Sequence, residues 1–145
     1  MDIIILTVRQ SGNRKGPAAD LVQLYIERTS HFHPCKWLQV RSVDEVWAQR
    51  EKPASHLILL DPRGEMRTSE GLAETIGKLR DSGKRTLLFA IGPADGWSAA
   101  DRDRAGALLS LGKMTLPHEL AAAVLSEQIY RACTILAGHP YHCGH

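Results

Sequence analysis

Four stretches of this chain hold residue types that could do chemistry. The first, Phe89-Ala90-Ile91-Gly92-Pro93-Ala94-Asp95-Gly96, runs an apolar, strand-like segment into a loop with two glycines. Glycine lets the backbone approach a ligand closely and permits positive φ. The same residues also suit a plain turn from strand to helix. They form neither a dinucleotide fingerprint nor a P-loop, since Gly-Lys-Ser/Thr is missing. The second stretch, Leu111-Gly112-Lys113-Met114-Thr115-Leu116-Pro117-His118, offers backbone N–H and C=O groups able to read an adenine edge. It equally suits the loop ahead of a proline-started helix.

The third stretch holds Glu127, Tyr130 and Arg131. Leu120, Val124, Glu127 and Arg131 stand at i, i+3/i+4 spacing, so they would share a helix face. The ordinary reading of Glu127 and Arg131 is a solvated ion pair worth ~0.3–0.5 kcal/mol. The fourth is the tail, His139-Pro140-Tyr141-His142-Cys143-Gly144-His145. Imidazole and thiolate are zinc ligands, but this spacing matches no common zinc module, and no metal is expected. His31-Phe32-His33-Pro34-Cys35 reads as a helix-end loop rather than a ligand set. There is no Gly-x-Ser-x-Gly elbow, and nothing sets a His beside Cys35, Cys133 or Cys143 for nucleophilic catalysis.

The elements that must position these stretches alternate between strand-like and helix-like, which predicts a largely parallel sheet with helices packed on it. Ile3–Val8 is a β-branched run suited to a buried strand. Ser11 to Lys15 reads as a loop, and Pro17 opens a helix carrying Leu21, Val22, Leu24, Tyr25 and Arg28. Trp37–Arg41 alternates as a second strand, and Ser42 with Glu45 makes a capping box for a helix through Trp47. His56–Leu60 is a third strand ending at Asp61-Pro62-Arg63-Gly64, followed by a helix from Thr68 or Ser69 to Gly83. Thr86–Ile91 is a fourth strand, Ser98 and Asp101 mark another helix start, and Ala107–Leu111 is a short fifth strand. Pro117 then opens the last helix, which runs to about Ala137 and ends at Gly138. In open α/β sheets ligands bind beyond the carboxyl ends of the strands. That selects the loops after Leu60, Ile91 and Leu111.

The bulk properties exclude more than they identify. The 145 residues suit one domain, 1–145. A hydrophobic share of 43% is enough for one core and argues against global disorder. A formal charge of +2 does not by itself announce a nucleic-acid binder, so any basic patch must be local. Three cysteines without a C-x-x-C pair imply no disulfide framework and suit a reducing cytosol. Asp2 stands where a signal peptide carries positive charge, and the apolar run Leu120 to Leu136 contains Glu127 and Arg131, so neither a signal peptide nor a membrane span is expected.

Taken together the segments resemble the RlmH family, SPOUT-class methyltransferases that modify nitrogen 3 of a pseudouridine in large-subunit (23S) ribosomal RNA. Six segments carry the resemblance: Leu59-Leu60-Asp61 with Gly64; Ser69-Glu70-Gly71-Leu72-Ala73; Ile91-Gly92 with Gly96; Ser110 through His118; Glu127-Gln128-Ile129-Tyr130-Arg131-Ala132; and His139-Pro140-Tyr141-His142. The match is clear over about residues 56–142 and weaker before. The resemblance implies an α/β fold with helices on both faces and a C-terminal deep trefoil knot. It implies bound S-adenosyl-L-methionine, with contacts carried over to Leu60, Gly92, Leu111, Gly112, Lys113, Met114, Thr115 and Leu116. It implies RNA contacts from Arg131, His139, Tyr141 and His142, of which Arg131, Tyr141 and His142 would orient the base at the catalytic centre. It also implies a cytoplasmic homodimer, with the site between protomers and no membrane association.

Two positions depart from the family. Pro93 stands where a second glycine is usual and removes a backbone donor. Cys143 stands where a basic residue usually follows the Tyr-His pair; Arg14, Lys15 and His145 are the candidates to replace that charge. These departures motivate an alternative, a SPOUT relative that binds cofactor or RNA without methylating this target. The βα pattern alone would also fit a small nucleotide-binding signalling module. Methylation of an imide nitrogen needs a proton removed and close alignment, so positioning should supply much of the rate. The last helix, with Leu120, Val124, Leu125, Ile129 and Leu136, holds more apolar surface than one core-facing stripe needs and is the expected dimer contact. Gly138 is expected to release the tail beside the cofactor loops.

Overall fold

A computed structural model describes residues 1–9 and 15–144. The expected loop from Ser11 to Lys15 lies outside the described residues except for Lys15, and so do Arg14 and His145. The chain forms β1 (Asp2–Val8), α1 (Pro17–Thr29), β2 (Cys35–Val40), α2 (Val43–Arg50), β3 (Ser55–Met66), α3 (Ser69–Asp81), β4 (Thr86–Ile91), α4 (Ala99–Ala105), β5 (Leu108–Ser110) and α5 (His118–Ala137). The five strands pair in parallel in the order β2-β1-β4-β3-β5.

The alternation of side chains along each strand splits the core into two layers. Ile3, Ile5, Leu87, Phe89 and Ile91 face α1, α3 and α5. Ile4, Leu6, Val8, Leu88 and Ala90 face the side that carries α2 and Trp97. Connections that move toward the β2 edge, through α1 and α3, share one face; connections that move toward β5, through α2 and α4, take the other. Right-handed crossovers require this switch of face with direction. Phe89 is fully buried at the centre, where truncation to alanine would cost roughly 3–5 kcal/mol.

Helix ends follow the local code. Ser42 and Glu45 close a capping box on α2, and Ser98 and Asp101 close one on α4. Thr68 caps α3 by accepting from the Gly71 N–H at 2.9 Å. Gly138 ends α5 in the left-handed conformation at φ 70°. α5 is long and apolar enough by composition to cross a membrane, but half of it is buried inside the fold. It packs between α1 and α3, and Leu136 sits in the space left by the missing side chain of Gly77.

Two expectations need correction. β3 does not stop at Leu60. Leu109 of β5 pairs with Leu60 and again with Glu65, so residues 61–64 bow out and the strand resumes through Met66. A Cβ on Gly64 would lie 2.6 Å from the Leu109 nitrogen, so only glycine lets the bow lie against that backbone. The surplus apolar surface of α5 is also smaller than expected. Leu125 and Ile129 are fully buried, and Leu136 packs against the core. Leu120 and Val124 remain exposed on α5, and Leu21 and Leu24 on α1, the helix packed against it.

Candidate active site

The bow of β3 after Leu60 and the loops at the carboxyl ends of β4 and β5 enclose one cleft of about 240 Å³. That is close to the lower end of the range for small-molecule sites. Leu60, Gly92, Leu111, Gly112, Met114, Thr115 and Leu116 all line it, as do Trp97, Ser110, His118 and Ala121. Lys113, expected with them, does not line the cleft.

Each loop is shaped by its own residues. After Leu60, Asp61 is 5% exposed, yet its carboxylate accepts the Arg63 N–H at 2.8 Å and lies 3.7 Å from the Arg102 guanidinium. These partners offset the cost of burying a charge. After Ile91, the Gly96 N–H donates to the Pro93 carbonyl at 2.8 Å, closing a turn in which Gly96 takes φ 83°. After Ser110, the Ser110 hydroxyl exchanges hydrogen bonds with both backbone groups of Gly112, at 3.0 and 3.2 Å. Gly112 has φ 140°, which a side chain would strain.

On either side of Gly112 the backbone N–H groups are uncommitted. Among the described residues, no hydrogen bond engages the N–H groups of Leu111, Lys113, Met114, Thr115 or Leu116. A loop that leaves successive backbone groups unpaired beside apolar Leu60, Leu111, Leu116 and Ala121 can grip a flat heteroaromatic ring. The side chains cover its faces, and the backbone reads its edge.

Two lining residues were not among the candidates. Trp97 packs its indole onto Gly92 and donates to the Leu60 carbonyl at 3.0 Å. His118, within a motif already singled out, borders the cleft half-buried, with its ring against the Gly92 and Val8 backbone. Burial, and then the nearby Arg9 charge, lower its pKa below 6.5. A large aromatic directly after the glycine turn was the sequence signal for Trp97.

The tail residues form a second, separate cluster. Glu127 Oε1 accepts from Arg131 Nε at 2.9 Å, from Arg131 Nη2 at 2.6 Å and from the Tyr141 hydroxyl at 3.0 Å. Arg131 Nη1 lies 3.1 Å from His142 Nδ1, and His142 Nε2 lies 2.7 Å from Glu70 Oε1. Arginine only donates. Nδ1 must therefore accept, which puts the ring proton on Nε2, where it donates to Glu70. That hydrogen bond is the largest cause holding the Glu70 carboxyl below its usual range. The Arg131 guanidinium also stacks 4.8 Å from the centre of the Tyr141 ring, and Tyr141 meets Tyr130 edge-on at 4.7 Å. Burial first, then hydrogen bonds with Tyr25 and Glu127, push the Tyr141 pKa up, so its hydroxyl stays a donor at neutral pH. The bond from Glu127 raises Arg131 further. His139 stays exposed, edge-on to Phe32 at 6.3 Å.

Glu127 and Arg131 are therefore not a solvated pair but the hub of a network. The expectation that the tail emerges beside the cofactor loops is overturned. α5 begins at those loops with His118 and ends at Ala137, so at 1.5 Å per residue Gly138 is about 30 Å away along the axis and Arg131 about 20 Å. Arg131, Tyr141 and His142 come together in one protomer, but they do not reach its own cleft.

Residues 1–142 match the family model described as Predicted SPOUT methyltransferase. The chain is 47% identical over 124 residues to a protein of Koribacter versatilis named Ribosomal RNA large subunit methyltransferase H, covering 83% of this chain and 85% of that one. It is 42% identical over 147 residues to a protein of the same name from Brucella anthropi, covering 89% and 92%. The fold also resembles the structure of a probable methylase family protein from Haemophilus influenzae, with a TM-score of 0.62 at 12% identity, covering 97% of this chain and 70% of that one.

Proposed function

The chain belongs to the SPOUT methyltransferase family, and from this premise we propose that it transfers a methyl group from S-adenosyl-L-methionine to nitrogen 3 of a pseudouridine in 23S ribosomal RNA, as a cytoplasmic homodimer built from single 1–145 domains. The observation that carries the reading is the cleft itself. The bow of β3 and the loops after β4 and β5 meet there, and the last of them offers unpaired backbone N–H groups beside apolar side chains. These features fit the cofactor: Leu60, Leu111 and Leu116 would flank the adenine, and backbone groups of Leu111 through Leu116 would hold its edge. Bound there, S-adenosyl-L-methionine supplies an electrophilic methyl group on its sulfonium.

The chain's own residues do the rest. The Gly92 and Leu111–Leu116 loops orient the donor, and the apolar lining excludes water. Arg131, Tyr141 and His142 are suited to holding a base and its phosphate, since they present a guanidinium, a neutral hydroxyl and an imidazole on one surface. His139 remains exposed for a further RNA contact. Within one chain this surface is about 20 Å from the cleft along α5. Exposed Leu120 and Val124 lie between the two along α5, and α1, packed against α5, exposes Leu21 and Leu24. A two-fold contact through that patch would set one protomer's tail against its partner's cleft. This supports a site shared between protomers.

The family reading also carries a deep trefoil knot. It is supported by the bow of residues 61–64, which leaves and rejoins β5 on either side of Leu109.

The test is methyl transfer from labelled S-adenosyl-L-methionine to 70S ribosomes and to free large subunits lacking the modification, with the labelled nucleotide located by mass spectrometry. Label on a pseudouridine of 23S RNA is the expected result. Absence of label with cofactor bound would favour the relative that has lost this activity.

A further inference from the structure

We propose that Trp97 is a positioning residue of the methyl-donor cleft, whose indole locks β3 at Leu60 to the Gly92 loop and forms a rigid wall of the site. The inference rests on the reading of the cleft as an S-adenosyl-L-methionine site.

Trp97 is 5% exposed; its side chain reaches the Leu60 segment directly, and its backbone reaches it through Arg102 of α4. Its Nε1–H donates to the Leu60 carbonyl at 3.0 Å. Its own carbonyl accepts from Arg102 Nη1 at 2.6 Å, and that same nitrogen lies 3.7 Å from Oδ2 of Asp61, the residue after Leu60. The circuit Leu60–Trp97–Arg102–Asp61 therefore closes on itself. The indole also occupies the place of a Gly92 side chain: a Cβ there would lie 2.8 Å from Cε2 and 2.9 Å from Nε1. So Gly92 is glycine to admit the tryptophan, not only to admit a ligand.

The loop after Ile91 and the bow of residues 61–64 after Leu60 both leave the paired ladders. A rigid ring joining the two removes motion that ligand binding would otherwise have to remove. The direction of the N–H bond also fixes the Leu60 carbonyl on the indole and leaves the cleft beside the Leu60 side chain. An aromatic residue that only filled the core would need its volume and not its N–H.

Trp97→Phe keeps a buried ring and removes the donor, whereas Trp97→Leu removes both. Arg102→Gln attacks the other half of the circuit without touching the core. The experiment is calorimetric titration of S-adenosyl-L-methionine into the full-length wild type and each variant, with tryptophan emission recorded and thermal unfolding run beside it. Trp97→Phe is expected to weaken binding at least ~10-fold in a folded protein, Trp97→Leu more, and Arg102→Gln measurably. Wild-type emission is expected to change on binding, and that change to vanish in Trp97→Phe although Trp37 and Trp47 remain. Wild-type affinity in folded Trp97→Phe and Arg102→Gln, with the emission change intact, would overturn the assignment and leave the cofactor reading standing. A wild type that does not bind S-adenosyl-L-methionine would overturn both.

Discussion

The Tyr141 hydroxyl donates to Glu127 Oε1 at 3.0 Å, onto the same oxygen that receives Arg131. This contact docks the C-terminal tail on the flank of α5 instead of leaving it frayed. A terminus without such anchors would be poorly ordered.

Deleting Tyr141–His145 is therefore expected to abolish methylation of ribosomes while leaving affinity for S-adenosyl-L-methionine within about twofold, because the cleft is lined by the loop residues and by none of the tail. Stability should also fall. The aromatic pair with Tyr130 and the hydrogen bond to Glu127 together contribute roughly 1–3 kcal/mol, which lowers the melting temperature by several degrees. Calorimetric binding and thermal scans of the truncated protein check both halves. Methylation at the parent rate would remove the tail from the RNA site.

Gly92→Ala is expected to weaken cofactor binding at least ~10-fold, about 1.4 kcal/mol, because the new Cβ would stand 2.8 Å from the Trp97 ring. The cause is testable by a double-mutant cycle. In a Trp97→Leu background the same substitution should cost much less. Equal costs in both backgrounds would mean that the methyl group obstructs the ligand directly.

The protein is expected to run as a dimer by light scattering, at twice the 16.0 kDa chain mass. Leu24→Glu combined with Val124→Glu places like charges in the exposed patch and should yield a folded monomer. That monomer should lose methylation, since no partner's tail then meets its cleft. A wild type measuring 16 kDa would reject the shared site.

Stability is expected to fall below neutral pH. Burial lowers the pKa of His33, His56 and His118 below 6.5 in the fold. Above about pH 7 these groups are neutral both folded and unfolded, and they contribute nothing to the pH dependence. As the pH drops through 6.5 the unfolded chain takes up protons that the folded chain refuses, so stability is lost until the lower folded-state values are passed. The urea midpoint should be lower at pH 5.5 than at pH 7.5, and His118→Gln should reduce the difference. Equal midpoints at the two pH values would contradict the burial argument.

The sequence by itself determined the elements and their ends. Thr86–Ile91 is a strand as read, the Ser42 and Ser98 boxes open helices, and Gly138 closes the last one, because capping and periodicity act between residues a few positions apart. The strand-end rule also picked the three loops that line the cleft. Only the tertiary structure decided which of these pieces meet. The return of residues 61–66 to β5 depends on two backbones touching at Gly64 and Leu109. The contact of Trp97 with Leu60 spans 37 positions, and that of His142 with Glu70 spans 72. The strand order brings β3, β4 and β5 together, and the length of α5 carries the tail away from their loops. Local propensity encodes neither, because both follow from how the sheet is ordered and how far a helix extends.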